Sequence, residues 1–185
     1  GTEFDSGSLK LAEYGSGSYT ADVLTGGTAS ASGQLGGGYI PAYACDDNTG
    51  TNWQNAGGTG WWQYDFGAGN EKVIQKYTIL IKPQTQQSPS AWTFQGSNNG
   101  SDWTDLDTRS GQTTWTDNVY NEYTFTNGTA YRYYRINITG INDTHSALTE
   151  ITMHEMDVAV PTNQHYTTIT DAAGLDSSDW DDINS

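Results

Sequence analysis

The sequence predicts an all-β chain, an antiparallel β-sandwich. Three observations carry this: polar and apolar residues alternate with period two through the middle of the chain, helical periodicity is almost absent, and turn signals recur between the alternating runs. At 185 residues the chain suits one domain of ordinary size with flanking segments. Stacked inner faces supply a core, and loops gather at the two ends of such a sandwich.

Each strand follows from its alternation. In "WWQYDFG" Trp62, Tyr64 and Phe66 share one face, while Gln63 and Asp65 share the other. "VIQKYTILI" aligns Tyr77, Ile79 and Ile81, and "SAWTFQGS" aligns Trp92 and Phe94. "NEYTFT" offers Tyr123 and Phe125, and "YRYYRINIT" offers Tyr134, Ile136 and Ile138. These are half-buried strands rich in aromatic and β-branched residues. Asn99-Gly100 and Asn127-Gly128 are expected to supply positive φ at tight connections. Pro83 and Pro89 bracket a segment that cannot pair as a central strand.

The flanks differ in character. Residues 1–23 are rich in Gly and Ser and read as an extension or linker, with Leu9, Leu11 and Tyr14 as an apolar patch that would suit an added strand. Residues 24–157 hold the sandwich. Residues 158–185 lose the alternation and end in a run of acids, which reads as an acidic linker or tail, with an edge strand possible at 166–170.

Charge and composition exclude several partners. Seven Lys+Arg against 22 Asp+Glu give a formal charge of −15, which removes the basic footprint that nucleic acid or an anionic membrane requires. No apolar run approaches the roughly 20 residues of a membrane span. Aromatics at 12% beside only 16% charged residues suggest a secreted β protein, and such chains often meet carbohydrate. Cys45 is the single cysteine, has no metal or redox spacing, and reads as a small buried residue. There is no Gly-x-Ser-x-Gly elbow or phosphate loop, so an enzyme is not expected.

Six stretches in order carry a resemblance: "TASAS" at 28–32, "ACDDNTGTNW" at 44–53, "WWQYDFG" at 61–67, "SAWTFQGSNNGSDWTDLDT" at 90–108, "YRYYRINI" at 131–138 and "LTEITMHE" at 148–155. The chain resembles the discoidin domain, also known as the coagulation factor type C domain, whose sugar-binding members form carbohydrate-binding module family 32. The resemblance covers residues 24–157 and implies a jelly-roll sandwich. Asp47 stands where the family usually has Gly, so its turn must adopt a conformation open to Asp or tolerate left-handed strain. Cys45 replaces a larger apolar residue.

The resemblance also implies a structural Ca²⁺. The matching positions are Asp46 and Thr51 with the carbonyls of Tyr43 and Asn48, closed by Glu150 and the carbonyl of Thr149. Such a set suits a hard cation that takes 6–8 oxygens at about 2.3–2.6 Å. The alternative for the loop itself is an Asx-type turn in which Asp46 and Asn48 satisfy backbone amides.

Ligand groups implied by the resemblance lie in loops at one end: Tyr39, then Gln54 and Asn55, then Lys82 and Gln84, then Asn142, Asp143 and His145. Galactose-binding members often place a His after the calcium-loop Trp and an Arg in the loop that here reads "KPQTQQSP"; this chain has Gln54 or Asn55 and Gln84 instead. Trp53, Trp62, Trp92 and Trp103 match core or strand positions, whereas Trp115 has no obvious place. Asn99, Asn127, Asn137 and Asn142 begin glycosylation sequons.

Together these observations point to a non-catalytic carbohydrate-binding module with a structural calcium. It would bind a neutral oligo- or polysaccharide and belong to a larger extracellular, secreted or surface-attachment protein with flanking domains. The alternative is a structural or protein-interaction module on a cell or virion surface, without a sugar site. Phospholipid binding would need hydrophobic loop tips with basic neighbours, and these loops are rich in Gly, Asn and Gln.

Overall fold

Alternation places one large apolar side chain inward at every second residue, and in a computed structural model that describes residues 17–81 and 87–157 it builds eleven antiparallel strands. They are β1 Ser18–Tyr19, β2 Thr28–Ala31, β3 Trp53–Asn55, β4 Gly60–Asp65, β5 Ile74–Leu80 and β6 Pro89–Ser97, then β7 Thr104–Arg109, β8 Tyr120–Thr124, β9 Tyr133–Ile141, β10 Ser146–Leu148 and β11 Glu150–Asp157. One 3-10 turn covers Pro41–Ala44. A five-stranded sheet runs β2-β4-β9-β6-β7, a four-stranded sheet runs β1-β11-β5-β8, and β3 and β10 form a short ribbon. The fold is a β-sandwich of jelly-roll type.

The sheets meet on an aromatic seam. Tyr77 of β5 stacks on Phe94 of β6 with ring centres 4.2 Å apart and planes within 8°. Trp92 meets Tyr123 edge-on at 5.2 Å, and Phe94 stacks on Tyr134 at 5.6 Å. Trp92, Phe94, Tyr77 and Tyr134 are fully buried, and each Phe-sized side chain removed from water contributes about 1.5–3 kcal/mol. The Tyr77 hydroxyl accepts from Trp92 Nε1 and donates to Asp107 Oδ2, both at 2.8 Å. Burial holds that phenol far above its ordinary pKa, so it stays a donor.

The buried indoles also position loops. A buried Trp N–H needs an acceptor. Trp53 Nε1 donates to the Gly33 carbonyl at 2.9 Å and Trp62 Nε1 to that of Pro41 at 2.8 Å, which fixes the 33–41 loop on the core. Trp115 Nε1 donates to the Pro89 carbonyl at 3.0 Å. Trp115 is therefore a core plug beside Trp92, despite lying between strands. Trp103 is half-buried under the Arg135 guanidinium, 3.9 Å from its ring centre.

Several local expectations change. Gly100 has φ 73°, but neither Asn127 nor Gly128 has positive φ. Asn127 is instead a buried pin: its amide nitrogen donates to the carbonyls of Ile74 and Thr129, and its Oδ1 accepts from Thr129 N. The dipeptide looked like a turn because its long-range partner, the Ile74 carbonyl, lies 53 residues away in sequence. Pro89 opens β6, the first-residue position where a strand needs no ladder donor. Cys45 is only half-buried, yet burial and the nearby Glu150 push its thiol up to about 12, leaving it inert.

Pairing begins at Ser18, opposite Asp157, upstream of the expected boundary at 24. The apolar patch at Leu9, Leu11 and Tyr14, the segment 166–170 and Pro83 lie outside the described residues.

Candidate functional site

Loops from distant parts of the chain close into a ring at the end of the sandwich where β5 finishes and β4 begins. Leu35 N–H donates to the Gln54 carbonyl at 2.9 Å, which lays the 33–40 loop on β3. A Cβ at Gly58 would come within 3.0 Å of Ile141 Cδ1, so the β3–β4 turn touches the loop after β9. Asn142 Nδ2 donates to Ser88 Oγ at 2.9 Å and to the Gln112 carbonyl at 3.1 Å. Asn118 N–H reaches the Ile81 carbonyl, and Thr149 N–H that of Leu80.

Side chains expected at a ligand surface divide into three groups. Tyr39 and His145 are half-buried at the rim, and His145 Nδ1 lies 2.8 Å from Thr144 Oγ1. Gln54 and Asn55 are buried, at 8% and 5% exposure. Asn55 Nδ2 donates to the Thr59 carbonyl and its Oδ1 accepts from Gly57 N, so this amide shapes the turn from within. Asn142 is likewise committed to holding its loop, and Asp143 is exposed. Lys82 and Gln84 lie outside the described residues.

The 46–51 loop is a cluster of oxygens short of protons. Thr51 Oγ1 is 3.0 Å from both Asp46 carboxylate oxygens and 2.8 Å from the Asn48 carbonyl, yet a hydroxyl donates one hydrogen. Asn48 N–H points at Glu150 Oε1 at 2.9 Å and Asp46 Oδ1 at 3.1 Å. Asp47 takes φ 57°, the left-handed conformation that Asp tolerates better than most residues. Tyr43 lies in the 3-10 turn just before the loop, and Thr149 precedes Glu150.

Glu150 is 1% exposed, and burial, with Asp46 and Asp47 adding to it, raises its carboxyl to about 8. Two facing carboxylates and a surplus of acceptors fit a hard cation. Among the described residues no three His, Cys, Asp or Glu side chains converge, so an ion here would rest on mixed donors.

The sequence model of the F5/8 type C domain matches residues 28–153. The chain belongs to this family.

Similar solved structures share the fold of this F5/8 type C domain. The family 32 carbohydrate-binding module of C. perfringens NanJ, in complex with galactose, is 18% identical; the match covers 75% of this chain and 100% of that one, with a TM-score of 0.62. Chitosan-binding module 2 of a Paenibacillus sp. IK-5 chitosanase/glucanase, in complex with chitotriose, is 20% identical over 69% of this chain and 95% of its own, with a TM-score of 0.57. The family 32 module of AlyQ, in complex with 4,5-unsaturated mannuronic acid, is 20% identical over 74% and 97%, with a TM-score of 0.56. Comparison with curated protein sequences gives no match.

The F5/8 type C domain presents one candidate that the sequence reading passed over. Tyr120 begins β8 in line with Leu80 and Glu150, and it is 43% exposed beside 45% exposed Val119. Strand parity was the available signal: Tyr123 faces the core, so Tyr120, three residues earlier, faces outward.

Proposed function

We propose that this domain is a non-catalytic carbohydrate-binding module of the family 32 type, taking a neutral oligo- or polysaccharide at the loop ring. The observation that supports it best is the ring itself, which sets the exposed aromatic Tyr120 and the rim residues Tyr39 and His145 on the same end as the oxygen cluster. A sugar needs an aromatic face for its C–H side and polar groups for its hydroxyls, and these residue types supply both. Lys82 and Gln84 complete the proposed set from their place in the sequence.

A structural Ca²⁺ belongs to the same proposal. Asp46, Thr51 and Glu150 would hold it, with the carbonyls of Tyr43, Asn48 and Thr149. The ion would supply the positive charge that the two carboxylates lack, and so join the early loop to the last strand. An extracellular setting, within a secreted or surface protein that carries further domains, accords with the calcium affinity of extracellular modules, and truncated AlyQ carries a CBM32 beside an alginate lyase domain.

A glycan array on residues 1–185, in calcium and after chelation, tests this. Specific binding that falls in Tyr120→Ala and His145→Ala without a change in melting temperature supports the site, and loss on chelation ties it to the ion. A blank array on a folded, calcium-stabilised chain would favour the second reading, a structural or protein-interaction module. Burial of Gln54 and Asn55, which removes two polar groups from the ligand surface, is the observation on that side.

A further inference from the structure

Where β4 ends and β5 begins, the chain forms a pocket whose lining shares no residue with the loop ring. After Asp22 the backbone leaves the edge of β11 and crosses to β4. Val23 N–H still bonds the Met153 carbonyl, and Gly27 N–H already reaches the Tyr64 hydroxyl at 2.8 Å. Only glycine fits at 27, because a Cβ would lie 2.4 Å from the Asp65 carbonyl oxygen. This tight crossing, together with the turn that follows Phe66, encloses about 440 Å³ lined by Asp22, Thr25, Phe66, Asn70 and Lys72 among others. That volume lies in the range of small-molecule sites, about 300–1,000 Å³.

The lining offers polar groups of several kinds. Asp22 Oδ1 accepts from Leu24 N at 3.2 Å and Met153 N at 2.8 Å, which fixes the carboxylate. Thr25 and Asn70 are exposed residues of the lining, so their hydroxyl and amide meet solvent at the pocket mouth. The amides of Asn55, Asn127 and Asn142, by contrast, are all committed to backbone or loop groups. Lys72 Nζ sits 3.7 Å from Glu155, so its charge is matched while donors remain. Phe66, 5% exposed, adds an apolar patch, and Gly26 leaves the mouth open, since a Cβ there would meet nothing within 4 Å.

We infer that this pocket is a second carbohydrate subsite that takes one neutral hexopyranose unit. A carboxylate, an amide, an ammonium and a hydroxyl around one small apolar patch match vicinal hydroxyls over a ring's C–H face. Lys72, the one Lys or Arg of the lining, is already paired with Glu155, and Asp22 adds a carboxylate, which disfavours uronates, sulfates and phosphates. Burial raises the Asp22 pKa, and hydroxyl donors from a sugar would offset that cost.

The test is an amide-shift titration of ¹⁵N-labelled residues 1–185 in calcium with methyl glycosides of galactose, glucose, mannose and N-acetylglucosamine, and with glucuronate as the charged arm. Saturable shifts at Thr25, Gly26, Asn70 and Lys72 with at least one neutral glycoside are expected, with glucuronate at least about tenfold weaker. Asn70→Ala and Thr25→Trp change exposed positions and should keep the melting temperature while weakening that binding at least about tenfold. Shifts confined to the loop ring, shifts nowhere, glucuronate binding as well as the neutral sugars, or full affinity in both variants would each overturn the subsite. The first of these leaves the loop-ring proposal standing, so the two fail separately.

Discussion

Two seams join distant parts of this domain, and they are made of opposite materials. Between the sheets, Tyr77, Trp92, Phe94 and Tyr123 pack ring on ring, and the Trp92 N–H is satisfied by the Tyr77 hydroxyl. Between the 46–51 loop and β11, Asp46, Thr51, the Asn48 carbonyl and Glu150 crowd oxygen on oxygen with too few hydrogens among them. The first seam is complete within the chain and indifferent to solvent conditions. The second depends on what the solvent supplies, a proton or a cation.

The largest effect should come from breaking the first seam. Trp92→Ala removes a fully buried indole and the donor that holds Tyr77, and a loss of about 3–5 kcal/mol in denaturant melts is expected. A loss under about 1 kcal/mol would mean that Trp115 and Tyr123 collapse into the gap, so that the seam is softer than its geometry suggests.

The second seam should respond to calcium and pH together. At a calcium concentration about a hundredfold above Kd the stabilisation is about 2.7 kcal/mol, which chelation should remove. In the chelated protein the Glu150 carboxyl titrates at about 8, above the 4.5 of an ordinary glutamate. Its stability contribution is then complete below pH 4.5 and is lost as pH rises towards 8, because the unfolded chain has already released the proton that the folded chain retains. Melts in chelator should therefore fall between pH 5 and pH 8. Glu150→Gln, which keeps the acceptor for Asn48 N, should flatten that slope and abolish the response to calcium. A chelated wild-type chain that gains stability with pH over this range would refute the account.

A smaller change sharpens the contrast from inside the fold. Asn127→Ala leaves the carbonyls of Ile74 and Thr129 without their donor and should cost about 1–3 kcal/mol at any pH or calcium level. Were that loss to depend on calcium, the two seams would be coupled.

The two seams were not equally legible in the sequence. Trp62, Tyr64 and Phe66, or Tyr134, Ile136 and Ile138, announce an inner face because strand geometry turns every second side chain the same way. The oxygen loop was legible as residue types, and its order of Asp46, Asn48 and Thr51 followed the family resemblance. What the sequence hid were the uses of amides. Asn55 and Asn127 look like loop and turn residues, yet both are buried: Asn55 turns inward to hold its own turn through Gly57 and Thr59, and Asn127 meets the Ile74 carbonyl, which no local pattern reports. Tyr120 was within reach of parity. The pocket at Asp22 was not, since it arises where one crossover meets a turn more than 40 residues away in sequence.

Ser18 and Asp157 are register partners on β1 and β11, and Asp157 ends its strand at the pole away from the loop ring. The described fold thus enters and leaves through one doorway, with its ends about 5 Å apart, the spacing of adjacent antiparallel strands. A module built this way can be spliced into a surface hairpin of a host protein without stretching either, its ring of loops pointing outward from the graft. It also suits circular permutation, with the old ends joined and new ones opened in the exposed turn at Asn99–Asp102.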